Sequence, residues 1–319
     1  MIKMKILVTD VIAEEAMEML KKNHDVTFRD ITGEELAREI APYHALMVRS
    51  GTKVTEEAIN NAENMAVIGR AGIGVDNIDI ASAAKKGIKV VNSPTGATIS
   101  VAELTIGHMI SLARHLPRAD RTTRAGEWAK KKLKGVELHG KTLGLVGCGN
   151  IGRAVAEHTR AFGMDVIGYD PYIPKEKLEE EGIRKVETVE EVMEGADFIS
   201  VHVPHTEETH HLIDGDMIAR MKPSAYIINC ARGGVVDEGA LYDALKENRI
   251  AGAALDVYEN EPAKENPLFE LENIVFTPHI GASTKEGQIR AGTICAEQIL
   301  KVLDGKEPDY WVNRRMMRG

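Results

Sequence analysis

The sequence predicts an α/β protein of two domains, each a parallel sheet covered by helices, with a cleft between them. Three observations carry this reading. The 319 residues amount to roughly two domains at about 150 residues each. Short apolar runs alternate with amphipathic stretches in two successive blocks, the rhythm of parallel sheets. In the second block a glycine-rich turn joins an apolar strand to a helix, the arrangement of a nucleotide-binding sheet.

In the first block, short buried strands are expected at 6–9, 46–48, 67–69 and 90–91. Helices are expected between them at 13–22, 34–40, 56–62 and 80–86. Parallel neighbours need a crossover long enough to hold a helix, so this alternation dictates parallel pairing. Asn92-Ser93-Pro94-Thr95-Gly96 breaks the pattern and marks a domain boundary. A long helix follows over 100–113, with Ser100 read as its N-cap and Glu103 completing a capping box. Apolar residues cover much of its circumference, so it is expected to lie buried between domains or subunits.

The second block begins near Thr142, with strands at 143–146, 166–169, 198–201, 226–229, 251–255 and 274–276. Six strands separated by helices fit one doubly wound, Rossmann-like sheet. The first strand runs into Gly147-Cys148-Gly149-Asn150-Ile151-Gly152 and then a helix over 153–162. In such a turn the first glycine permits the tight bend. The second lets backbone approach a pyrophosphate, and the third lets helix and strand pack closely. The helix N-terminus adds free N–H donors. Asp170 ends the next strand; a carboxylate there accepts ribose hydroxyls and repels a 2′-phosphate, which favours NAD over NADP. Gly69-Arg70-Ala71-Gly72-Ile73-Gly74 has the wrong spacing for a second such turn. A last helix is expected over 283–303, with its return to the first domain left open.

Composition narrows the function classes. Hydrophobic residues make up 43% and the net charge is −9, which excludes bulk disorder and argues against a nucleic-acid binder. The three cysteines, Cys148, Cys230 and Cys295, are widely spaced, so neither a disulfide framework nor a cysteine metal site is expected. The opening apolar run is too short for a signal-peptide core, and no stretch reaches membrane-spanning length. A cytoplasmic protein with no membrane partner is the expectation. His202-Val203-Pro204-His205 reads as a turn near the cofactor, because Pro204 prevents a helix that would align two metal ligands. His210-His211 reads as exposed loop or helix start, and Lys130-Lys131-Lys132 as a solvated face.

Three later segments put polar residues at the ends of expected strands, where open α/β sheets hold ligands. They are Asn229-Cys230-Ala231-Arg232-Gly233-Gly234, Asp256-Val257-Tyr258-Glu259-Asn260-Glu261-Pro262 and Thr277-Pro278-His279-Ile280-Gly281-Ala282. Together with the glycine turn they resemble the D-isomer-specific 2-hydroxyacid dehydrogenases over nearly the whole chain. The resemblance implies that Arg232 binds the substrate carboxylate, that His279 is the acid/base and that Glu261 is its partner. It implies NAD contacts at Gly147, Gly149, Asn150, Ile151, Gly152 and Asp170, at Val203 and Pro204, and at Cys230, Ala231 and Arg232. Asp256, near the nicotinamide carboxamide, His279, Gly281 and Ala282 complete that set; the bland alternative for Asp256 is a helix cap. The chemistry suits these residue types. A guanidinium grips a carboxylate with two parallel hydrogen bonds, and an imidazole moves a proton near neutral pH. Hydride chemistry belongs to the cofactor, so no metal is expected.

The first block bears on the substrate. Arg49 and Arg70 each end an expected strand, within Val48-Arg49-Ser50 and Gly69-Arg70-Ala71-Gly72-Ile73-Gly74. These segments resemble the phosphoglycerate-oxidising branch of the family, which implies substrate contacts at Arg49, Ser50, Arg70, Gly72, Ile73 and Gly74. Lys130, after Trp128, aligns with a third basic residue of that branch, contributed there across a subunit interface; a lysine keeps the charge but loses the bidentate fork. The implied reaction is NAD-dependent oxidation of 3-phospho-D-glycerate to 3-phosphohydroxypyruvate, in serine biosynthesis. The rivals are a glyoxylate/hydroxypyruvate reductase and, from another class, an NADH-sensing corepressor scaffold, in which the arginine pair has no purpose. The expected domains are 1–96 plus 287–319 for substrate and 97–286 for NAD, with two chain crossings suited to hinge closure. The region 100–124 resembles the family's dimerisation element, so a homodimer or homotetramer is expected. The length leaves no residues for the extra C-terminal regulatory domain of longer members, so no serine feedback of that kind is expected.

Overall fold

The computed structural model describes residues 3–317. The chain divides into two compact units: one runs to Thr98 and resumes at Ala282, and the other is Ile99–Gly281. The second crossing falls after Gly281, ahead of the expected residue 287; Gly281 is itself still tied by its N–H to Asp256 of the second unit.

The first unit holds β1 (Lys5–Val8), β2 (Asp25–Phe28), β3 (Ala45–Val48), β4 (Val67–Arg70) and β5 (Lys89–Asn92), all parallel, in the order β2-β1-β3-β4-β5. Sequence reading missed β2. Its Asp-Val-Thr-Phe segment forms a largely exposed edge strand, so it carries no apolar run to announce it. Helices at Glu14–Lys21, Gly33–Glu39, Glu56–Asn61 and Ile80–Lys85 connect the strands. Thr55 and Asp79 cap the last two by accepting from Ala58 and Ser82 N–H. The helix Lys285–Leu303 returns to this unit and buries Cys295, Ala296 and Ile299 in its core. A Cβ on Gly69 of β4 would meet the Ile299 and Cys295 side chains at 2.6 and 2.7 Å, so glycine is what lets the helix lie this close.

The second unit holds β6 (Thr142–Val146), β7 (Asp165–Tyr169), β8 (Arg184–Lys185), β9 (Phe198–Val201), β10 (Tyr226–Asn229), β11 (Gly252–Leu255) and β12 (Ile274–Phe276). Their order is β12-β11-β10-β9-β6-β7-β8, all parallel. The seventh strand, β8, is a two-residue basic edge that no hydrophobic pattern reveals. The central strands β9, β10 and β11 are buried throughout, as both faces of a covered parallel sheet require. The strand order reverses between β6 and β9, and ligands of such sheets bind beyond the strand ends at that point.

The helix Thr98–Ala113 begins before Ser100, which is buried inside it. The expected capping box is therefore not formed. Backbone bonds from Gly96 N–H to Ser93 and from Thr98 N–H to Thr95 already turn the chain, so the helix starts upstream. Among the described residues no helix is long and apolar enough to cross a membrane.

Candidate active site

The glycine turn lies at the end of β6, at the switch point. Gly147 has φ +93°, which favours glycine, and a Cβ there would stand 2.8 Å from the His202 carbonyl oxygen and 2.9 Å from Val203 Cγ1. A Cβ on Gly152 would collide with the Gly147 carbonyl. The helix Asn150–Arg160 starts at the turn itself, earlier than the expected 153, with Gly149 extended before it. Arg153 braces this end by donating to the Gly149 carbonyl and Asn150 Oδ1 and pairing with Glu181 at 2.8 Å.

Asp170 follows β7 and is buried, with Oδ2 accepting from Cys148 N–H at 2.9 Å. Its Oδ1 accepts from Tyr172 and Ile173 N–H. Three of about four acceptor directions are thus in use within the protein, and further donors reach the carboxylate only on its remaining side. His202 N–H bonds the Val146 carbonyl, which seats 202–204 against the glycine turn. Burial lowers the His202 pKa to about 4, so its ring is neutral. Pro204 accepts from Thr209 Oγ1, closing the turn that follows.

Arg232 lies past β10, in a turn bracketed by Asn229, which accepts from Ala231 N–H and donates to the Arg232 carbonyl. The Arg232 guanidinium touches the Ala231 carbonyl at 2.7 Å. A Cβ on Gly233 would overlap the Tyr258 carbonyl, so the Arg232 and Glu261 loops approach closely there. Glu261 Oε1 accepts from Tyr258 N–H, and its Oε2 lies 2.7 Å from His279 Nδ1. Burial pushes the Glu261 carboxyl up. The His279 hydrogen bond and charge, the Tyr258 N–H and the Arg232 charge outweigh it and hold the pKa below its ordinary value. An ionised carboxylate can only accept, so His279 carries its proton on Nδ1 and turns Nε2 outward.

Asp256 does not cap a helix. Its buried carboxylate accepts from Thr277 Oγ1, Ile280 N–H and Gly281 N–H at 2.6, 2.8 and 2.8 Å, shaping the loop that carries His279. The buried Cys230 thiol is pushed up to about 12, first by burial and then by the Asp256 charge. Ala282 begins the second segment of the first unit.

Sequence reasoning missed His211. It is not simply exposed loop: with φ +50° it donates its N–H to the Gly234 carbonyl. Its ring lies 3.1 Å from Glu259 Oε1 and 3.8 Å from Asp237 Oδ2, and stacks on His210. It thereby ties the Arg232 turn to the segment before Glu261. No local pattern signals a pairing that spans 48 residues.

In the first unit, Val48 of β3 pairs with Arg70 of β4, so Arg49 and Arg70 emerge at the same end of neighbouring strands. Arg49 is fixed by its N–H to Asp10 and its guanidinium to the Val11 carbonyl. Gly72 leaves the space that the Arg70 guanidinium fills. Gly72 N–H bonds Ser93, and the Ile73 carbonyl accepts from Asn92. Ser50 is exposed, and Gly74 lies half-buried beyond Ile73. Lys130 sits in an exposed 3-10 turn of the second unit, Lys130–Lys132, after a Trp128 that is 86% exposed.

A family model described as D-isomer specific 2-hydroxyacid dehydrogenase, NAD binding domain, matches residues 106–281. The chain belongs to this family, and its second unit carries an NAD-binding domain. It is 54% identical over 310 residues, 97% of its length, to the D-3-phosphoglycerate dehydrogenase of Methanocaldococcus jannaschii. It spans only 59% of that relative and 58% and 54% of the next two, which bear the same name. It is 45% identical to the hydroxypyruvate reductase of Thermotoga maritima, covering 95% of this chain and 99% of that protein. Among solved structures, a glyoxylate reductase from Paecilomyes thermophila aligns with TM-score 0.90 at 29% identity, covering 99% of this chain and 100% of that one.

Proposed function

We propose that the chain is an NAD-dependent D-2-hydroxyacid dehydrogenase that oxidises 3-phospho-D-glycerate to 3-phosphohydroxypyruvate. The observation that carries the reading is the 2.7 Å pair of His279 and Glu261, in an NAD-binding domain that also presents Arg232. The glycine turn supports cofactor binding: side chains at Gly147 and Gly152 would strike the His202 and Gly147 carbonyls and break the tight turn, while Gly149 faces open space where a pyrophosphate can approach the backbone. NAD supplies the hydride acceptor. Arg232 grips the substrate carboxylate with two parallel hydrogen bonds and fixes the reacting carbon. His279 Nε2 takes the hydroxyl proton, and Glu261 stabilises the resulting imidazolium through Nδ1–H. In the reverse direction the same imidazolium donates to the carbonyl oxygen. Asp170 would accept a ribose hydroxyl, and Asp256 would shape the loop beside the nicotinamide amide through the Ile280 and Gly281 N–H groups that it holds.

Arg49 and Arg70 are proposed as the phosphate holders, because two guanidinium groups emerge from adjacent strand ends, with Lys130 as a third cation. The second reading, a hydroxypyruvate reductase, is favoured by the full-length match to the Thermotoga maritima protein. Comparing kcat/KM for phosphohydroxypyruvate and hydroxypyruvate separates the two. An advantage for the phosphorylated substrate above tenfold, about 1.4 kcal/mol, is expected, and a smaller one overturns the phosphate site. We also propose a homodimer or larger assembly through residues 100–124. In support, the helix Leu116–Arg124 buries none of its residues in the single chain, and Leu116 is exposed. Light scattering should give at least twice the 34.9 kDa chain mass.

A further inference from the structure

Thr277 has one hydroxyl proton, and it goes to Asp256 Oδ1 at 2.6 Å. Thr277 Oγ1 also lies 3.1 Å from His108 Nε2. With its proton committed, Thr277 can only accept there, so His108 carries hydrogen on Nε2. His108 is 2% exposed, on the buried side of the helix Thr98–Ala113 beside Met109 and Leu112. Burial lowers its pKa against a smaller opposing effect of the Asp256 charge, so the ring is neutral. A directed chain of donors therefore runs from His108 through Thr277 to Asp256.

That chain ends on the loop of the acid/base. Asp256 also accepts from Ile280 and Gly281 N–H, the two residues after His279. Tyr258 donates its hydroxyl to the Thr277 carbonyl at 2.9 Å, two residues before it. His279 itself has φ +54°, a left-handed conformation that non-glycine residues seldom adopt and that surrounding contacts must impose. We propose that His108, acting through Thr277 and Asp256, is a positioning residue that holds the His279 loop in its left-handed conformation and so aims the proton-transferring imidazole. The proposal rests on the acid/base reading of His279. Without the Nε2 donor, the half-buried Thr277 oxygen loses a partner, and its hydroxyl is less firmly fixed toward Asp256.

His108→Leu fills the site without a donor, Thr277→Val removes the hydroxyl at equal volume, and His108→Gln returns an N–H at similar reach. Three quantities are to be measured: hydrogen exchange at the Ile280 and Gly281 amides, NADH-dependent turnover of a 2-keto acid, and Tm. In His108→Leu and Thr277→Val, exchange should quicken and turnover fall, each about tenfold, as expected for a lost buried hydrogen bond. Tm should change little, and His108→Gln should restore both readouts. Wild-type exchange in His108→Leu and Thr277→Val overturns the proposal, and so does faster exchange with unchanged turnover. A parallel His279→Ala separates the two ideas: near wild-type turnover there removes the acid/base reading, while amide exchange still decides whether His108 holds the loop.

Discussion

Glu261 and His279 show how one proton is placed by hydrogen-bond bookkeeping. Two donors, Tyr258 N–H and the imidazole, converge on the Glu261 carboxylate. That fixes the histidine tautomer and leaves one nitrogen to exchange protons. His279→Ala is expected to lower kcat by about 10² to 10⁴ while NADH still binds. Wild-type turnover would remove His279 from the chemistry. Glu261, Arg232 and His279 could be singled out in the sequence because three segments after strands jointly resemble the family's motifs; each residue alone also fits a loop, salt-bridge or structural role. His108 and His211 could not. A histidine amid apolar helical residues reads as a filled core position, and its meaning comes only from Thr277, 169 residues along the chain. Asp256 was half legible, since its place at a strand end was evident but the three donors that consume its carboxylate were not.

At the level of elements, the glycine turn and Asp170 act as one unit, because the Asp170 carboxylate accepts from Cys148 N–H inside the turn. With Asp170 at the ribose, as proposed, a dinucleotide with an added ribose phosphate would place its charge against this buried carboxylate. Asp170→Ala is therefore expected to narrow the preference for NADH over NADPH at least tenfold, about 1.4 kcal/mol, measured as the ratio of kcat/KM values. Equal efficiency with both cofactors in the unaltered protein would contradict the role. The buried strands β9 and β10 could be read as continuous apolar runs, and β1 as a shorter one. The edge strands β2 and β8 could not, since an edge is exposed and needs no apolar pattern. The Ser100 capping box failed for a related reason: the motif was present, but backbone turns upstream had already begun the helix.

Across the whole molecule, buried titratable groups predict how stability follows pH. Burial lowers the pKa of His24, His108 and His202, the last to about 4. In the unfolded chain such groups protonate near pH 6.5. The unfolded state then binds more protons, so stability is present above that pH and is lost as pH falls toward the folded values. Asp79, Asp197 and Glu261 have lowered carboxyl pKa values. Their contribution is held above pH 4 and is lost only below it. Tm should therefore decline in two stages, the first beginning near pH 6.5 and the second below about pH 4. A flat Tm between pH 7 and 4.5 would show that the buried histidines are not neutral in the fold.

The two chain crossings, at Thr98 and Gly281, also give the protein an order of assembly in time. A ribosome delivers β1 to β5 before the second unit, yet the helix that covers Gly69, Cys295 and Ile299 included, follows the whole of that unit. While the inserted unit is synthesised, that face of the first sheet has the helix Glu14–Lys21, through Ala16 and Leu20, but lacks Cys295, Ala296 and Ile299 of the later helix. The inserted unit is continuous in the chain and has every strand it needs before that helix emerges. The second unit can therefore complete its core during synthesis before the first unit can, so the part of the chain made earlier is the part finished later.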